Sequence, residues 1–145
     1  MTHQYEGHYR LKHGPNERSD PTVGKLIREK ASDGRLACAS AFAIAEKTGC
    51  SPKQVGEAAD LLEIKIYRCQ LGLFGHEKGK RNIIEPWANV PKELEQALRK
   101  GIVDGRLPCA IAWEIAQQFA LPKMSITGAC ERLDLRIGHC QLGTF

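Results

Sequence analysis

Four of the six cysteines in this 145-residue chain keep a fixed spacing. Cys38 and Cys109 are 71 residues apart, and so are Cys69 and Cys140. Thiolates bind zinc or iron when four of them converge, usually from closely spaced pairs such as C-x-x-C. No such pair occurs here, and each half of the chain supplies only two of these thiols, 31 residues apart. A metal centre would therefore need Cys38, Cys69, Cys109 and Cys140 to be pooled from both halves. The expectation is simpler: these are small buried apolar residues, a role that suits an unpaired cysteine, and no metal or other cofactor is bound. Cys50 and Cys130 have no counterpart at that spacing. A second possible chemistry is phosphate contact, because residues 75–92 (GHEKGKRNIIEPWANVPK) gather Lys78, Lys80 and Arg81 in the most basic stretch of the chain.

The cysteine spacing belongs to a longer correspondence. CQLGLF at 69–74 returns as CQLGTF at 140–145, and residues 33–74 align with 104–145 without a gap, with 17 identities in 42 positions. Asp33-Gly34-Arg35-Leu36 falls on Asp104-Gly105-Arg106-Leu107, and Leu62 and Ile66 fall on Leu133 and Ile137. The sequence thus reads as a tandem duplication: an arm at 1–22, a first repeat at 23–74, a basic linker or wing at 75–92, and a second repeat at 93–145.

Local signals place elements on each repeat. Residues 23–32 and 93–103 read as short opening helices, and the Asp-Gly pair after each is a turn signal. Residues 37–48 (ACASAFAIAEKT) have helical periodicity, with Cys38, Ala41, Phe42 and Ala45 on one face. Gly49 ends that helix; Ser51 caps the next, with Pro52 at its first position. Val55, Ala58, Ala59 and Leu62 then recur at core spacing. Ile64-Lys65-Ile66 and Leu135-Arg136-Ile137 alternate as short strands, which should kink or end near Tyr67. In the second repeat Ala120 replaces the turn glycine, and Leu121 and Pro122 follow it without the Ser-Pro pair that opens the first repeat's second helix, so its turn is expected to be built differently.

Ala45, Gly49, Val55 and Ala58 form a specific pattern: a small residue at a helix crossing, a glycine turn, then a second helix packed back on the first. On these residues the chain resembles helix-turn-helix transcription regulators, more narrowly their winged-helix branch, over about 50 residues of each repeat. The resemblance implies a mainly α fold with short β strands, two tandem helix-turn-helix, winged-helix-like units, with Arg81-Asn82-Ile83-Ile84 as a candidate return strand of the first wing. It also implies a second helix lying in the major groove of double-stranded DNA. The side chains so placed would be Lys53 and Gln54 in the first repeat and Lys123, Ser125, Thr127 and Arg132 in the second, with Lys78, Lys80 and Arg81 reaching phosphates. Two fused units would act as a pseudo-dimer, their helices about one duplex turn (~34 Å) apart.

Charge tempers that reading. The net +4 is distributed as 0 over 1–22, +2 over 23–74, +2 over 75–92 and 0 over 93–145. Glu57 and Asp60 share the outer face of the first recognition helix, where a phosphate wall repels them. The second reading is therefore a non-enzymatic adaptor whose helix-turn-helix units dock on protein. The phrases DGRL-x-C-A and CQLG-x-F are also similar to small helix-turn-helix domains of anaerobic prokaryotes that accompany molybdenum- or tungsten-cofactor and oxidoreductase proteins, which implies an accessory-subunit role. Homo-oligomers are compatible with either reading.

Other function classes lack support. No P-loop, dinucleotide fingerprint or nucleophile elbow occurs, so no enzyme is expected. No apolar run reaches the roughly 20 residues of a membrane helix, and the first residues (MTHQYEGHYRLKHG) lack an apolar signal core, which predicts a cytoplasmic protein without a membrane partner. His3, His8 and His13 recur every five residues, a period that suits neither a helix face nor a strand face, and read as solvated.

Overall fold

Asp20 caps the first helix: its carboxylate accepts from the Thr22 and Val23 backbone N–H groups at 2.8 and 3.3 Å. With Pro21 in the first turn, this starts helix α1 (Pro21–Lys30) two residues earlier than periodicity alone suggests. The computed structural model describes residues 20–76 and 84–144. Among them are six helices and four short strands, so the protein is mainly α with short β. None of these helices is long and apolar enough to cross a membrane.

The chain divides into two units. The first contains α1, β1 (Arg35–Ala37), α2 (Cys38–Thr48), α3 (Pro52–Leu61) and β2 (Lys65–Tyr67). Asp33 and Gly34 both take positive φ, 53° and 73°, and Ser32 and Arg35 exchange backbone hydrogen bonds across them at 2.9 and 3.0 Å. This is the two-residue turn that Asp-Gly favours. β1 pairs with β2 in parallel, Arg35 opposite Lys65 and Ala37 opposite Tyr67. Parallel neighbours need a crossover connection, and α2 with α3 provides it. The core is formed by Val23, Ile27, Leu36, Ala41, Ile44, Val55, Ala58 and Ala59, all buried. Ile44, rather than the half-buried Phe42, completes the inner face of α2.

The second unit repeats this order with α4 (Lys92–Lys100), β3 (Leu107–Pro108), α5 (Cys109–Gln118), α6 (Lys123–Leu133) and β4 (Ile137–Gly138). β3 and β4 are again parallel, with Leu107 opposite Ile137. The core consists of Leu94, Leu98, Leu107, Ala112, Ile115, Ala116, Ile126, Ala129 and Cys130.

The turn between the paired helices differs from expectation. Gly49 caps α2 in the left-handed region at φ 76°, and Ala120 takes the same region at φ 53°. The second turn is thus built in the same conformation, on a residue whose Cβ disfavours it. Pro122, not Leu121, stands at the cap of α6, and makes no side-chain hydrogen bond to the helix end. In the first unit Ser51 and Gln54 form a full capping box.

The boundary between units falls inside the CQLG phrases. Gln70–Cys140 form the second unit, whereas the first comprises Met1–Cys69 together with Gln141–Phe145. Each unit therefore includes the closing segment of the opposite repeat. The return strand expected over Arg81–Ile84 falls almost wholly outside the described residues, and His3, His8 and His13 lie outside them altogether.

Candidate nucleic-acid interface

On α3, Val55, Ala58 and Ala59 turn inward and Lys53 and Gln54 are exposed. Lys53 thus presents its ammonium to solvent. Gln54 is partly committed, because its Oε1 accepts from the Ser51 N–H at 2.8 Å while its own N–H donates to Ser51 Oγ at 3.1 Å. Bidentate reading of adenine needs both ends of that amide, so Gln54 reads a base only by opening the box. Glu57 and Asp60 are half-buried along the same helix, and the outer surface of α3 is mixed in charge.

α6 is arranged differently. Thr127, expected at the surface, is only 3% exposed, and its hydroxyl donates to the Leu71 carbonyl at 2.7 Å. That corrects its place among the groove-facing residues: a hydroxyl engaged in the interior reaches no base. Ser125 is half-buried, and its carbonyl accepts from the Trp87 indole at 2.9 Å. The Trp87 N–H donates to the Gly128 carbonyl. A Cβ on Gly128 would collide with the Glu85 carbonyl oxygen. The segment at Glu85–Trp87 thus lies across the side of α6 corresponding to Glu57 on α3. Lys123 is half-buried, with Nζ 4.6 Å from the centre of the Trp113 ring, a cation–π contact. Arg132 is exposed. Lys78, Lys80 and Arg81 lie outside the described residues.

The structure gathers a group that the sequence reading missed. At the end of β2 the Tyr67 ring is flanked by two guanidiniums, Arg35 with its Cζ 4.7 Å from the ring centre and Arg68 at 5.3 Å. Both arginines are exposed. Arg68 sits at φ 51°, where the strand ends, as its parity change predicts. Stacking on a ring reduces the rotamer freedom of a guanidinium while leaving its N–H fork available to phosphate oxygens. The signal in the sequence was the +2 charge of the first repeat, much of it on Arg35, Lys65 and Arg68 instead of on α3. In the second unit Gly138 stands where Tyr67 does, and the Arg106 stem packs within 2.5 Å of where a Gly138 Cβ would lie. Beside it is an open cleft of about 380 Å³ lined by Arg106, Arg136, Glu131 and Asp134 among others.

The six cysteines form no disulfide. Cys38 and Cys69 belong to the first unit and Cys109 and Cys140 to the second. Among the described residues no three His, Cys, Asp or Glu side chains gather as a metal site. Burial, reinforced by the neighbouring Glu131 carboxylate, pushes the Cys130 thiol up to about 11.

Comparison of the chain with protein-family models, with curated proteins and with solved structures finds no match.

Proposed function

We propose that this protein is a DNA-binding regulator of the helix-turn-helix kind, built from one unit copied in tandem, in which the first unit contacts DNA. The duplication is supported by backbone conformation as well as identity. Left-handed residues recur 71 positions on: Asp33 and Asp104, Gly49 and Ala120, Glu63 and Asp134, Arg68 and His139, Gly72 and Gly143. Most side chains resist that conformation, so a shared set of such positions argues for shared ancestry more strongly than shared helices would.

The observation that carries the DNA reading is the Arg35–Tyr67–Arg68 stack on the strand after α3, in the same unit as an exposed Lys53. A second helix that reads a groove needs flanking cations to hold phosphates and set its register, and the stack supplies two. The second unit has no such stack, because Gly138 replaces the ring.

A titration with labelled mixed-sequence duplex at low salt tests this. The expected result is a complex whose log affinity falls linearly with log salt concentration. Arg35→Glu, Arg68→Glu and Lys53→Glu should each weaken it, whereas Lys30→Glu on α1 should not. Absence of a complex at about 10–100 µM duplex, the range of non-specific binding, sinks the reading.

The cover over α6 favours protein docking as a second function, confined to the second unit. There the outer side of the second helix already holds a peptide segment through an indole and a main-chain N–H. Partners retained from lysate after nuclease treatment would support that adaptor role, and partners lost with the nucleic acid would oppose it.

A further inference from the structure

The open cleft of the second unit gathers charges that do not neutralise one another. Arg106 and Arg136 immediately precede Leu107 and Ile137, which pair across β3 and β4, and the Leu107 N–H donates to the Arg136 carbonyl at 2.8 Å. Two cations thus stand on neighbouring strands, where like charges repel. The carboxylates come from the end of α6: Glu131 lies in its last turn and Asp134 is its C-cap. That end of a helix carries the negative pole of the backbone dipole, which disfavours anions and favours a cation. Among the described residues none of these four side chains makes an ion pair within 4.0 Å, although all four line one cleft of about 380 Å³. The same signs recur in the first unit at Arg35, Asp60, Glu63 and Lys65. There the Tyr67 ring holds Arg35. In the second unit Gly138 stands in place of that ring, and Arg106 lines the cleft instead. The lining also has an apolar part. The closing phrase of the first repeat contributes Leu73, 38% exposed, two residues after the buried Leu71 whose carbonyl accepts from Thr127. Leu142, the equivalent of Leu71, is buried in the first unit, where a Cβ on Gly56 would overlap its carbonyl oxygen.

We propose that this cleft binds a small zwitterion, a free amino acid or dipeptide with an aliphatic side chain. Two guanidiniums and two carboxylates sum to zero charge. A simple anion would be repelled by the carboxylates and a simple cation by the guanidiniums, whereas a ligand carrying both charges satisfies both pairs. Its carboxylate accepts from the N–H forks of Arg106 and Arg136. Its ammonium donates to Glu131 and Asp134, beside the negative end of α6. An aliphatic side chain covers Leu73, Leu135 and Ile137, removing from water the apolar surface that Leu73 exposes. The volume lies near the lower end of the roughly 300–1,000 Å³ of small-molecule pockets, which suits a ligand of this size. Binding at this cleft does not depend on the DNA reading.

Titration of the isotopically labelled full chain with L-leucine, and separately with leucyl-leucine, tests this by nuclear magnetic resonance. At least one of the two should shift the backbone amide signals of Glu131, Leu135 and Ile137 saturably, with a Kd of about 1 mM. Whichever binds more tightly distinguishes a free amino acid from a peptide. Blocking either end of that ligand, by acetylating its amine or amidating its carboxylate, should weaken it about tenfold, the loss expected for one charged hydrogen-bonded contact. Arg136→Gln should weaken the unblocked ligand by a similar factor and leave its amide form unaffected. Glu131→Gln should do the same and leave the acetylated form unaffected. Arg132→Gln, on α6 but outside the cleft, should bind as the unaltered chain does. All three positions are exposed, so these variants keep the fold. Absence of saturable shifts up to about 10 mM of both probes, or equal binding by the unaltered chain and Arg136→Gln, overturns the proposal. Tighter binding of inorganic phosphate overturns it too, since the cleft would then serve anions alone.

Discussion

Ala120 holds a conformation that an alanine resists, and this makes it the clearest single-residue test of the second turn. At φ 53° its Cβ crowds the following carbonyl, at a cost of roughly 1–2 kcal/mol that glycine avoids. Glycine in turn gives the unfolded chain more freedom, which offsets about 0.4–1 kcal/mol of that relief. Ala120→Gly should therefore raise stability by up to about 1 kcal/mol, and Gly49→Ala should lower it by a similar amount, both read as shifts in urea midpoint at constant slope. If Ala120→Gly destabilises the protein, the turn is not held as described. Cys130 gives a second test, in pH. Its folded pKa is raised from 9.0 to about 11, so the folded state retains a thiol proton that the unfolded chain releases above pH 9. The neutral thiol's contribution is fully present below pH 9 and is lost as pH rises towards 11. Comparison with Cys130→Ala isolates this: the stability gap between the two proteins should narrow from pH 9 to 11. A constant gap would mean that the thiol is not buried.

At the scale of elements, much was legible because it is governed by adjacent residues. Ser51, Pro52 and Gln54 specify the start of α3 within four positions, and the Asp-Gly pairs specify their turns within two. Ser51→Ala should remove the hydroxyl that accepts from the Gln54 N–H, leaving only the bond from the residue 51 N–H to Gln54 Oε1, and cost about 1 kcal/mol, within a range of roughly 0.5–2, measured by thermal or urea unfolding. An unchanged midpoint would show that the box contributes nothing in solution. The parallel pairing of β1 with β2 was not legible, because strands of three residues carry no pattern that distinguishes parallel from antiparallel partners. Thr127 was misread for a related reason, and the equivalent Gly56 was not read at all. A helical wheel assigns faces relative to the helix's own unit, and both positions fall on a flank that looks exposed until a segment from the other repeat is laid on it. Helical periodicity cannot register a neighbour such as Leu71, which reaches Thr127 from 56 residues away in the sequence.

For the whole molecule, the sequence suggests two equal reading heads, since the same phrase and the same helix pair occur twice. Two features make the two units unequal. Glu85 and Trp87 lie over α6 at Gly128 and Ser125, whereas Lys53 and Gln54 on α3 are exposed. The formal charge is also uneven, +2 over 23–74 against 0 over 93–145. The charge difference was readable from the outset, but the cover was not, because nothing in the run EPWAN marks a tryptophan that will donate to the Ser125 carbonyl 38 residues away. If the first unit alone contacts DNA, a hydroxyl-radical footprint should show one protected stretch rather than two separated by a duplex turn of about 34 Å. Arg132→Ala on α6 should leave both footprint and affinity unchanged, while Lys53→Glu should weaken binding at every sequence tested and lower the salt slope by roughly one phosphate contact. Two protected half-sites, with Arg132→Ala erasing one of them, would restore the symmetric pair of heads and require the segment over α6 to leave its place when DNA binds.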